Sequence, residues 1–210
     1  RRDLRLEDNA ALYQALQAGS VLPVFIFDTD ILDQLEDKDD RRVSFIHDQV
    51  RRIKAQIEQA GSDLLVLHGR PLEIFTRLSG DYQIDAVYAG KDYEPYARER
   101  DQEVAELLQA HAAKLVLIKD HVIFEEHEIT KADRTAYIVY TPYMRAWKKK
   151  YQAETPQSVP SAECLGGLIK RKPIGLPSLE QLGFLQYDNP VPDPLLDPDL
   201  IRNYHSHRDF

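Results

Sequence analysis

Several segments of the first 120 residues carry apolar positions with the period of an α-helix. The first of these segments predicts a helix over 10–18, with Asp8 or Asn9 as its N-cap and Gly19 at its end. Pro71 opens a short helix, and a longer helix is predicted over about 95–111. The clearest helix has apolar residues three or four positions apart and stops before Gly61; they are Val43, Ile46, Val50, Ile53 and Ile57.

Continuous apolar runs between these helices predict strands that are buried on both faces. The runs cover residues 21–27, 64–67, 84–89 and 115–118. Strands that alternate with helices are joined by parallel crossovers, so helices cover both faces of the sheet. The sequence therefore predicts an α/β fold with three αβα layers around a Rossmann-like, doubly wound parallel sheet.

The pattern changes after Tyr151, where periodic apolar stretches become rare. Eight of the 12 prolines fall between Pro156 and Pro198, which predicts a mostly irregular linker that wraps another surface. A new helix is predicted to begin within 195–204. We therefore divide the chain into an α/β domain (1–152), a linker (153–195) and the start of a further helical domain (196–210).

Composition narrows the class of protein. The chain has 27 Lys and Arg against 35 Asp and Glu, a net charge of −8, which argues against a nucleic-acid footprint over the whole surface. The single cysteine, Cys164, excludes an intramolecular disulfide and predicts a half-buried thiol in a reducing compartment, the cytoplasm. No apolar run approaches the ~20 residues that cross a bilayer, so we expect a soluble monomer without a membrane partner. Because position 1 is Arg, we expect the chain to belong to a longer one.

Ligands of open parallel sheets bind beyond the carboxyl ends of the strands. Neither G-x-G-x-x-G nor G-x-x-x-x-G-K-[ST] occurs there, which argues against a dinucleotide dehydrogenase and a P-loop NTPase. The loops instead carry charged residues that can hydrogen-bond a polar heteroaromatic ligand; they are Arg1, Arg2, Asp3, Asp28, Asp30, Lys91, Asp92 and Glu94. By spacing alone, the alternative that these charges only solvate the loops is favoured.

Two further groups of residues suggest chemistry but have simpler interpretations. His121 and His127 lie among glutamates, yet no ligand cluster elsewhere completes a site, so we predict a polar surface segment and no metal. Arg145 and residues 148–150 place four cations around Trp147 on a short helix. We interpret them as a solvated face whose tryptophan packs inward, with phosphate binding as the alternative.

Four sequence segments together carry a family resemblance. Residues 1–12 read R-R-D-L-R-L-E-D-N-A-A-L, and residues 92–101 read D-Y-E-P-Y-A-R-E-R-D. Residues 140–147 read Y-T-P-Y-M-R-A-W, and residues 204–210 read Y-H-S-H-R-D-F. In this order they resemble the N-terminal domain of the DNA photolyase and cryptochrome family, from the motif after its first strand to the Y-x-x-x-R-[DN] stretch that opens its flavin-binding domain.

The resemblance implies part of a light-driven DNA-repair enzyme, a carbon–carbon lyase. A helical C-terminal domain would hold FAD, which when reduced and excited would pass an electron to a cyclobutane pyrimidine dimer in damaged DNA, split it and recover the electron. The domain described by this sequence would hold a second, light-harvesting antenna chromophore. We therefore expect no catalytic residue in this portion, and expect the portion alone to be inactive.

The resemblance also implies roles for individual residues. Tyr204 matches a position that contacts FAD. Arg208 matches one that contacts DNA, where it would bind a phosphate bidentately, and an interdomain salt bridge is its alternative role. Contacts to the antenna chromophore are expected from Arg2, Asp28, Asp92 and Glu94.

Two departures from the family pattern refine these expectations. Members that bind methenyltetrahydrofolate carry an Asn-Glu pair where this chain has Tyr96 and Ala97, so a deazaflavin, a flavin or an empty pocket is expected instead. The family's first strand would precede Arg1 and lie centrally in the sheet, so we expect the native chain to include it. The FAD domain would follow Phe210.

Three alternatives remain open at this point. A cryptochrome, a blue-light signalling protein, shares the same domain. An unrelated nucleotide-binding or universal-stress-like α/β module is weakened by the missing glycine loop. A receiver domain in which Asp28 accepts a phosphoryl group needs an acidic cluster and a lysine at matching strand ends, and Lys119 is a thin candidate for that lysine.

Overall fold

The computed structural model describes residues 3–187 and 198–208. Strands and helices alternate through the first 120 residues, as the apolar pattern predicts. In chain order the elements are α1 (Ala10–Ala18), β1 (Val24–Asp28), α2 (Thr29–Leu32), α3 (Arg41–Gln59), β2 (Leu65–Gly69), α4 (Pro71–Asp81), β3 (Ala86–Gly90), α5 (Pro95–Ala110) and β4 (Lys114–Ile118). Helix α6 (Tyr140–Ala153), two 3-10 helices (Ser161–Gly167 and Glu180–Leu182), α7 (Pro198–Arg202) and α8 (Tyr204–His207) follow.

The strands form two parallel pairs. Val24 of β1 lies opposite Leu65 of β2, and Ala86 of β3 lies opposite Lys114 of β4. Within residues 3–187 and 198–208, neither β1 nor β3 pairs with a further strand. Parallel pairing with helical crossovers confirms the predicted doubly wound α/β class.

Local side-chain chemistry sets where the helices begin. The side chain of Asn9, rather than Asp8, caps α1 by accepting a hydrogen bond of 2.9 Å from the amide of Leu12. Asp8 has a positive φ of 49°, a conformation that Asp tolerates better than most residues. Pro71 and Pro95 occupy the first turns of α4 and α5, where no amide donor is needed.

The main hydrophobic core lies between α3 and the β1–β2 pair. Its fully buried members on α3 are Val50 and Ile57, both on the predicted stripe. Four buried residues of the C-terminal segment complete this core: Leu168, Leu179, Leu182 and Phe184. The surface that the predicted linker wraps is therefore the α/β unit itself.

Polar contacts fix the same segment to the α/β unit. Asp63, fully buried just before β2, accepts hydrogen bonds from the ammonium of Lys54 and from the amide of Ile174 at 2.9 Å. Ser62 donates to the carbonyl of Ile169 at 2.7 Å. A buried carboxylate without donors is costly. Because the amide of Ile174 is one of the donors to Asp63, residues 169–174 belong to the folded unit.

Three local features differ from the predicted pattern. Helix α2 matches none of the predicted helices, because the carboxylate of Asp28 caps a single helical turn that has no apolar stripe. Helix α6 extends over 14 residues although no residue in it is buried. On a strand, His121, Glu125 and His127 would face one side, but the segment 119–139 forms turns and bends and no strand.

Candidate functional site

The loop that opens the chain lies over the carboxyl ends of β3 and β4. Asp120, two residues after the end of β4, accepts two hydrogen bonds from the Arg5 guanidinium, at 2.9 and 3.0 Å. A Cβ atom built on Gly90, the last residue of β3, would lie 3.1 Å from Oδ2 of Asp3. The close approach of Asp3 therefore favours glycine at this strand end, because any larger residue would push the Asp3 side chain back by a few tenths of an ångström.

Asp28 connects β1 to α5 at the same edge. Its side chain is only 8% exposed; Oδ1 accepts from the amide of Asp30 at 3.1 Å, and Oδ2 accepts from the hydroxyl of Tyr96 at 2.6 Å. The guanidinium of Arg100 lies 4.0 Å from Oδ2 and 5.6 Å from the centre of the Tyr96 ring. Burial, followed by the hydrogen bond to the Asp28 carboxylate, raises the pKa of Tyr96 above its usual value.

Residues 91–94 form a rim beyond the end of β3. Oδ1 of Asp92 accepts from the amide of Glu94 at 3.2 Å, which turns the chain into α5. Tyr93 is 45% exposed, and its ring centre lies 5.0 Å from that of His121. Nε2 of His121 is buried and has no hydrogen-bond partner among the described residues. Lys91 is held at the rim by Glu125, at 2.6 Å.

A polar cleft of about 170 Å³ adjoins this edge between α4 and α5. Arg70 and Arg100 line it from the two helices, with Tyr96 between them. Arg70 is held by Asp30 at 3.1 Å, and this interaction raises the pKa of Arg70. Since its cations are paired with carboxylates, the cleft offers a hydrogen-bonding surface without a strong net charge.

The structure brings together some of the predicted site residues. Asp92 and Glu94 share the rim, and Asp28 is joined to α5 through Tyr96, two residues after Glu94. Arg2 lies outside the described residues. Tyr204 is exposed on α8, and Arg208, also exposed, follows that helix.

Sequence reasoning missed the roles of Tyr96, Arg100 and Asp120 at this edge. Asp120 had a usable signal, because it lies two residues after the apolar run 115–118, at a strand end as Asp28 does. Tyr96 and Arg100 had none, since their contacts depend on how closely α5 approaches β1.

Other predicted features have plain structural roles. Trp147 packs on Phe124 and Tyr151 with ring centres 5.5 and 5.1 Å apart, as the inward-facing interpretation expects. Nε2 of His127 lies 3.2 Å from Oε1 of Glu126 at the surface. Among residues 3–187 and 198–208, no three His, Cys, Asp or Glu side chains cluster as metal ligands. No helix in these ranges is long and apolar enough to span a bilayer.

Comparison with known proteins identifies the family. The sequence model of the DNA photolyase family matches residues 1–161. The chain belongs to the DNA photolyase family. The deoxyribodipyrimidine photo-lyase of Synechococcus sp. (strain ATCC 27144 / PCC 6301) is 34% identical over 191 residues, which cover 88% of this photolyase-family chain and 39% of the relative. The chain thus spans about two fifths of the length of this curated relative.

Solved structures share the fold of this photolyase-family chain. An archaeal photolyase from Sulfolobus tokodaii, solved with two FAD molecules and with implication of a novel light-harvesting cofactor, superposes with a TM-score of 0.59 at 22% identity. A cryptochrome from Synechocystis sp. PCC6803 superposes with a TM-score of 0.66 at 17% identity. The matches cover 80% and 77% of this chain, and 40% and 35% of those proteins. At these identities the likeness establishes the fold.

Proposed function

We propose that this chain is the antenna-binding α/β part of a deoxyribodipyrimidine photolyase, which repairs cyclobutane pyrimidine dimers in DNA with light. The family match over residues 1–161 carries the proposal. Light-driven splitting of the dimer belongs to the remainder of the longer protein, where a helical domain holds FAD. Within this chain we assign residues 1–152 to the α/β unit, 153–195 to the linker and 196–210 to the start of the FAD domain.

We place the antenna chromophore at the rim formed by residues 91–94, together with Asp28 and Arg2. The rim fits a heteroaromatic group: the exposed ring of Tyr93 offers a surface for stacking, and the orphaned Nε2 of His121 lies beside it. The carboxylates of Asp92 and Glu94 can accept hydrogen bonds from ring or side-chain donors of such a group. When bound, the chromophore supplies absorption of near-ultraviolet and blue light.

This chain's own residues would hold the chromophore at a fixed position. Excitation transfer to a flavin depends on distance and orientation, so the rim must be rigid. Behind the rim, the Asp28–Tyr96 hydrogen bond ties β1 to α5, and the Arg5–Asp120 pair ties the opening loop to the end of β4. Both oxygens of Asp28 accept hydrogen bonds inside the protein, which fixes the position of the carboxylate that we assign to the chromophore.

A deazaflavin or flavin suits this site better than methenyltetrahydrofolate. Tyr96 and Ala97 stand where folate-binding members carry Asn and Glu, and both are committed to internal packing: Tyr96 to Asp28, and Ala97 to the interior. The solved photolyase with two FAD molecules supports including a flavin among the chromophores tested.

Repair is favoured over cryptochrome signalling for the longer protein. The repair relative is 34% identical to this chain, whereas the cryptochrome structure, at 17% identity, shares the fold alone. We also assign Arg208 to a contact with a DNA phosphate and Tyr204 to a contact with FAD. The proposed protein is a cytoplasmic monomer. Blue light should therefore restore dimer-containing DNA in the presence of the longer protein, and a lack of repair would favour the cryptochrome alternative.

Chromophore binding tests the role of this portion directly. The 210-residue chain is titrated with a 5-deazaflavin, FMN and methenyltetrahydrofolate, and binding is followed by chromophore fluorescence. We expect stoichiometric binding of the deazaflavin or FMN and none of the folate. Asp92→Asn and Glu94→Gln should each weaken binding about tenfold, the loss of one hydrogen bond to a charged group.

Glu106→Gln is the matched control, because Glu106 is an exposed carboxylate on α5, the helix that follows the rim, and lies away from its start. It should bind as the unchanged chain does. If the control weakens binding as much as the rim variants, or if folate alone binds, the rim is not the antenna site.

A further inference from the structure

The outer face of α6 presents three cations to solvent. Trp147 lies on the opposite side of the helix, where it packs on Phe124. Its ring also stacks on Tyr151, with an angle of 11° between the rings. Spacings of three and four residues place one set of exposed positions on the opposite face: Arg145, Lys148, Lys149 and Gln152. We call Arg145, Lys148 and Lys149 the α6 stripe.

Acidic residues near α6 do not neutralise the stripe. Lys150, on the side of α6 that faces the preceding segment 119–139, pairs with Glu128 of that segment at 3.8 Å and with Glu154 at 3.6 Å. No member of the α6 stripe has a carboxylate within 4.0 Å among the residues that the structure describes. Residues 140–153 contain four cationic and no acidic residues, in a chain whose net charge is −8.

The local excess of positive charge acts at short range. At about 0.1 M salt the Debye length is ~10 Å, so acidic residues elsewhere on the surface are largely screened from a ligand at the stripe. From Arg145 to Lys149 the stripe covers five residues, a rise of roughly 6 Å along the helix axis. That length matches two or three successive phosphates of one DNA strand, which carries a charge every ~3.4 Å of axis.

Exposed apolar side chains also occur at the start of α6, but not on the stripe. Tyr140 and Tyr143 are exposed, yet they precede Trp147 by seven and four residues and so lie on its side of the helix. The case for a nucleic-acid backbone therefore rests on the row of cations. An acidic protein surface would supply carboxylates, but not a regular row of charges at this spacing.

We propose that the α6 stripe binds the phosphate backbone of duplex DNA and so helps to position the DNA on the photolyase. The inference rests on the proposed function, since it takes DNA as the ligand. The contacts carry no sequence information, because lysine and arginine bind phosphates as charges. The stripe adds to any contact made by Arg208 and requires no lesion.

Salt-dependent binding to undamaged DNA tests the stripe. A fluorescein-labelled duplex of about 20 base pairs is titrated with the 210-residue chain, and anisotropy is recorded from about 50 to 200 mM salt. In the triple variant Arg145→Gln, Lys148→Gln, Lys149→Gln, the slope of log K against log salt should fall by about 3, one for each lost phosphate contact. Affinity at about 50 mM salt should fall tenfold or more.

A matched triple variant separates a local stripe from net charge. Arg52→Gln, Arg77→Gln and Lys172→Gln remove three exposed cations elsewhere and change the net charge equally. This control should keep the salt slope of the unchanged chain. Equal losses in the two triple variants, or no loss in either, would overturn the inference, as would polyglutamate competing with the duplex as strongly as unlabelled DNA does.

The outcome is independent of the test of repair. If the longer protein repairs dimers while the α6 variant binds DNA normally, the stripe inference fails alone. If the stripe variant loses DNA binding but the longer protein repairs nothing, the repair function fails and the DNA-binding surface stands.

Discussion

Residues of the opening segment serve the fold before they serve any ligand. Asn9 caps α1, and its amide group also donates to the carbonyls of Asp3 and Arg5 at 3.2 and 3.1 Å. Its backbone amide donates to Ser161, which in turn donates to the carbonyl of Leu6. The motif over residues 3–9 is therefore a structural device that holds the loop at the sheet edge, which leaves Arg2 as its ligand-binding candidate.

Tyr96 should stabilise the folded chain through its hydrogen bond to Asp28. In Tyr96→Phe, the buried carboxylate of Asp28 loses one donor, and we expect a loss of about 1.5–3 kcal/mol in the free energy of unfolding at pH 7. The measurement is urea unfolding followed by circular dichroism. Tyr82→Phe is the control: Tyr82 is exposed and its hydroxyl meets only the guanidinium of Arg171, at 3.2 Å, so its loss should be small.

The pH dependence gives this prediction a second readout. The pKa of Tyr96 is raised in the folded chain, so the folded state keeps its proton above pH 10, the ordinary tyrosine value, while the unfolded state releases it. The stability that Tyr96 adds is thus fully present below pH 10 and is lost as the pH rises further. An advantage over Tyr96→Phe that stayed constant from pH 7 to pH 11 would contradict the assigned hydrogen bond.

At the scale of elements, apolar periodicity predicted the helices and strands whose apolar residues pack into the core. Helix α3 and strand β1 were foreseeable because their apolar residues fill the core. Helix α2 was not, because a single turn capped by Asp28 buries too little to leave a periodic signal. Strand ends located Asp28 and the rim at 92–94, whereas Tyr96 joined the site only through the approach of α5 to β1, which no local pattern encodes.

Glu128 should control how α6 lies against the preceding loop. Its carboxylate accepts from Lys119 at 2.7 Å and lies 3.8 Å from Lys150, and these two ammonium groups lie 5.8 and 5.4 Å from the centre of the Phe124 ring. In Glu128→Gln, we expect the only tryptophan, Trp147, to become more exposed and its fluorescence emission to shift to longer wavelength at pH 7. The cost should be about 1–2 kcal/mol.

Acid should reproduce this effect in the unchanged chain. The hydrogen bond from Lys119, followed by the backbone amide of Glu125, lowers the pKa of Glu128, so its contribution is present above pH 4.5 and is lost as the pH falls through the lowered value. Glu154→Gln is the control, because Glu154 is an exposed partner of Lys150 alone. Identical emission of Trp147 in the Glu128 variant and the unchanged chain from pH 7 to pH 3 would rule out the role of Glu128.

At the scale of the whole molecule, the described part of the proline-rich segment, up to residue 187, contributes to the main core. Sequence composition correctly predicted its irregular backbone but not its destination, because its few apolar residues follow no period. Leu168 forms a bridge with Val21, and the Lys54–Asp63 pair holds the amide of Ile174. A boundary at residue 153 therefore separates helix α6 from the segment without separating the segment from the α/β unit.

Phe184 tests whether this segment stabilises the α/β unit. It is 3% exposed in the core formed with α3, whereas its neighbour Leu185 is 58% exposed. Phe184→Ala should therefore lower the free energy of unfolding by about 3–5 kcal/mol, the usual cost of a cavity left by a buried aromatic ring. Leu185→Ala, in the same segment, should cost less than about 0.5 kcal/mol. Both are measured by urea unfolding, with one transition expected for residues 3–187. Equal, small effects of the two substitutions would mean that the segment is detached in solution and that α3 and β1 alone form the core.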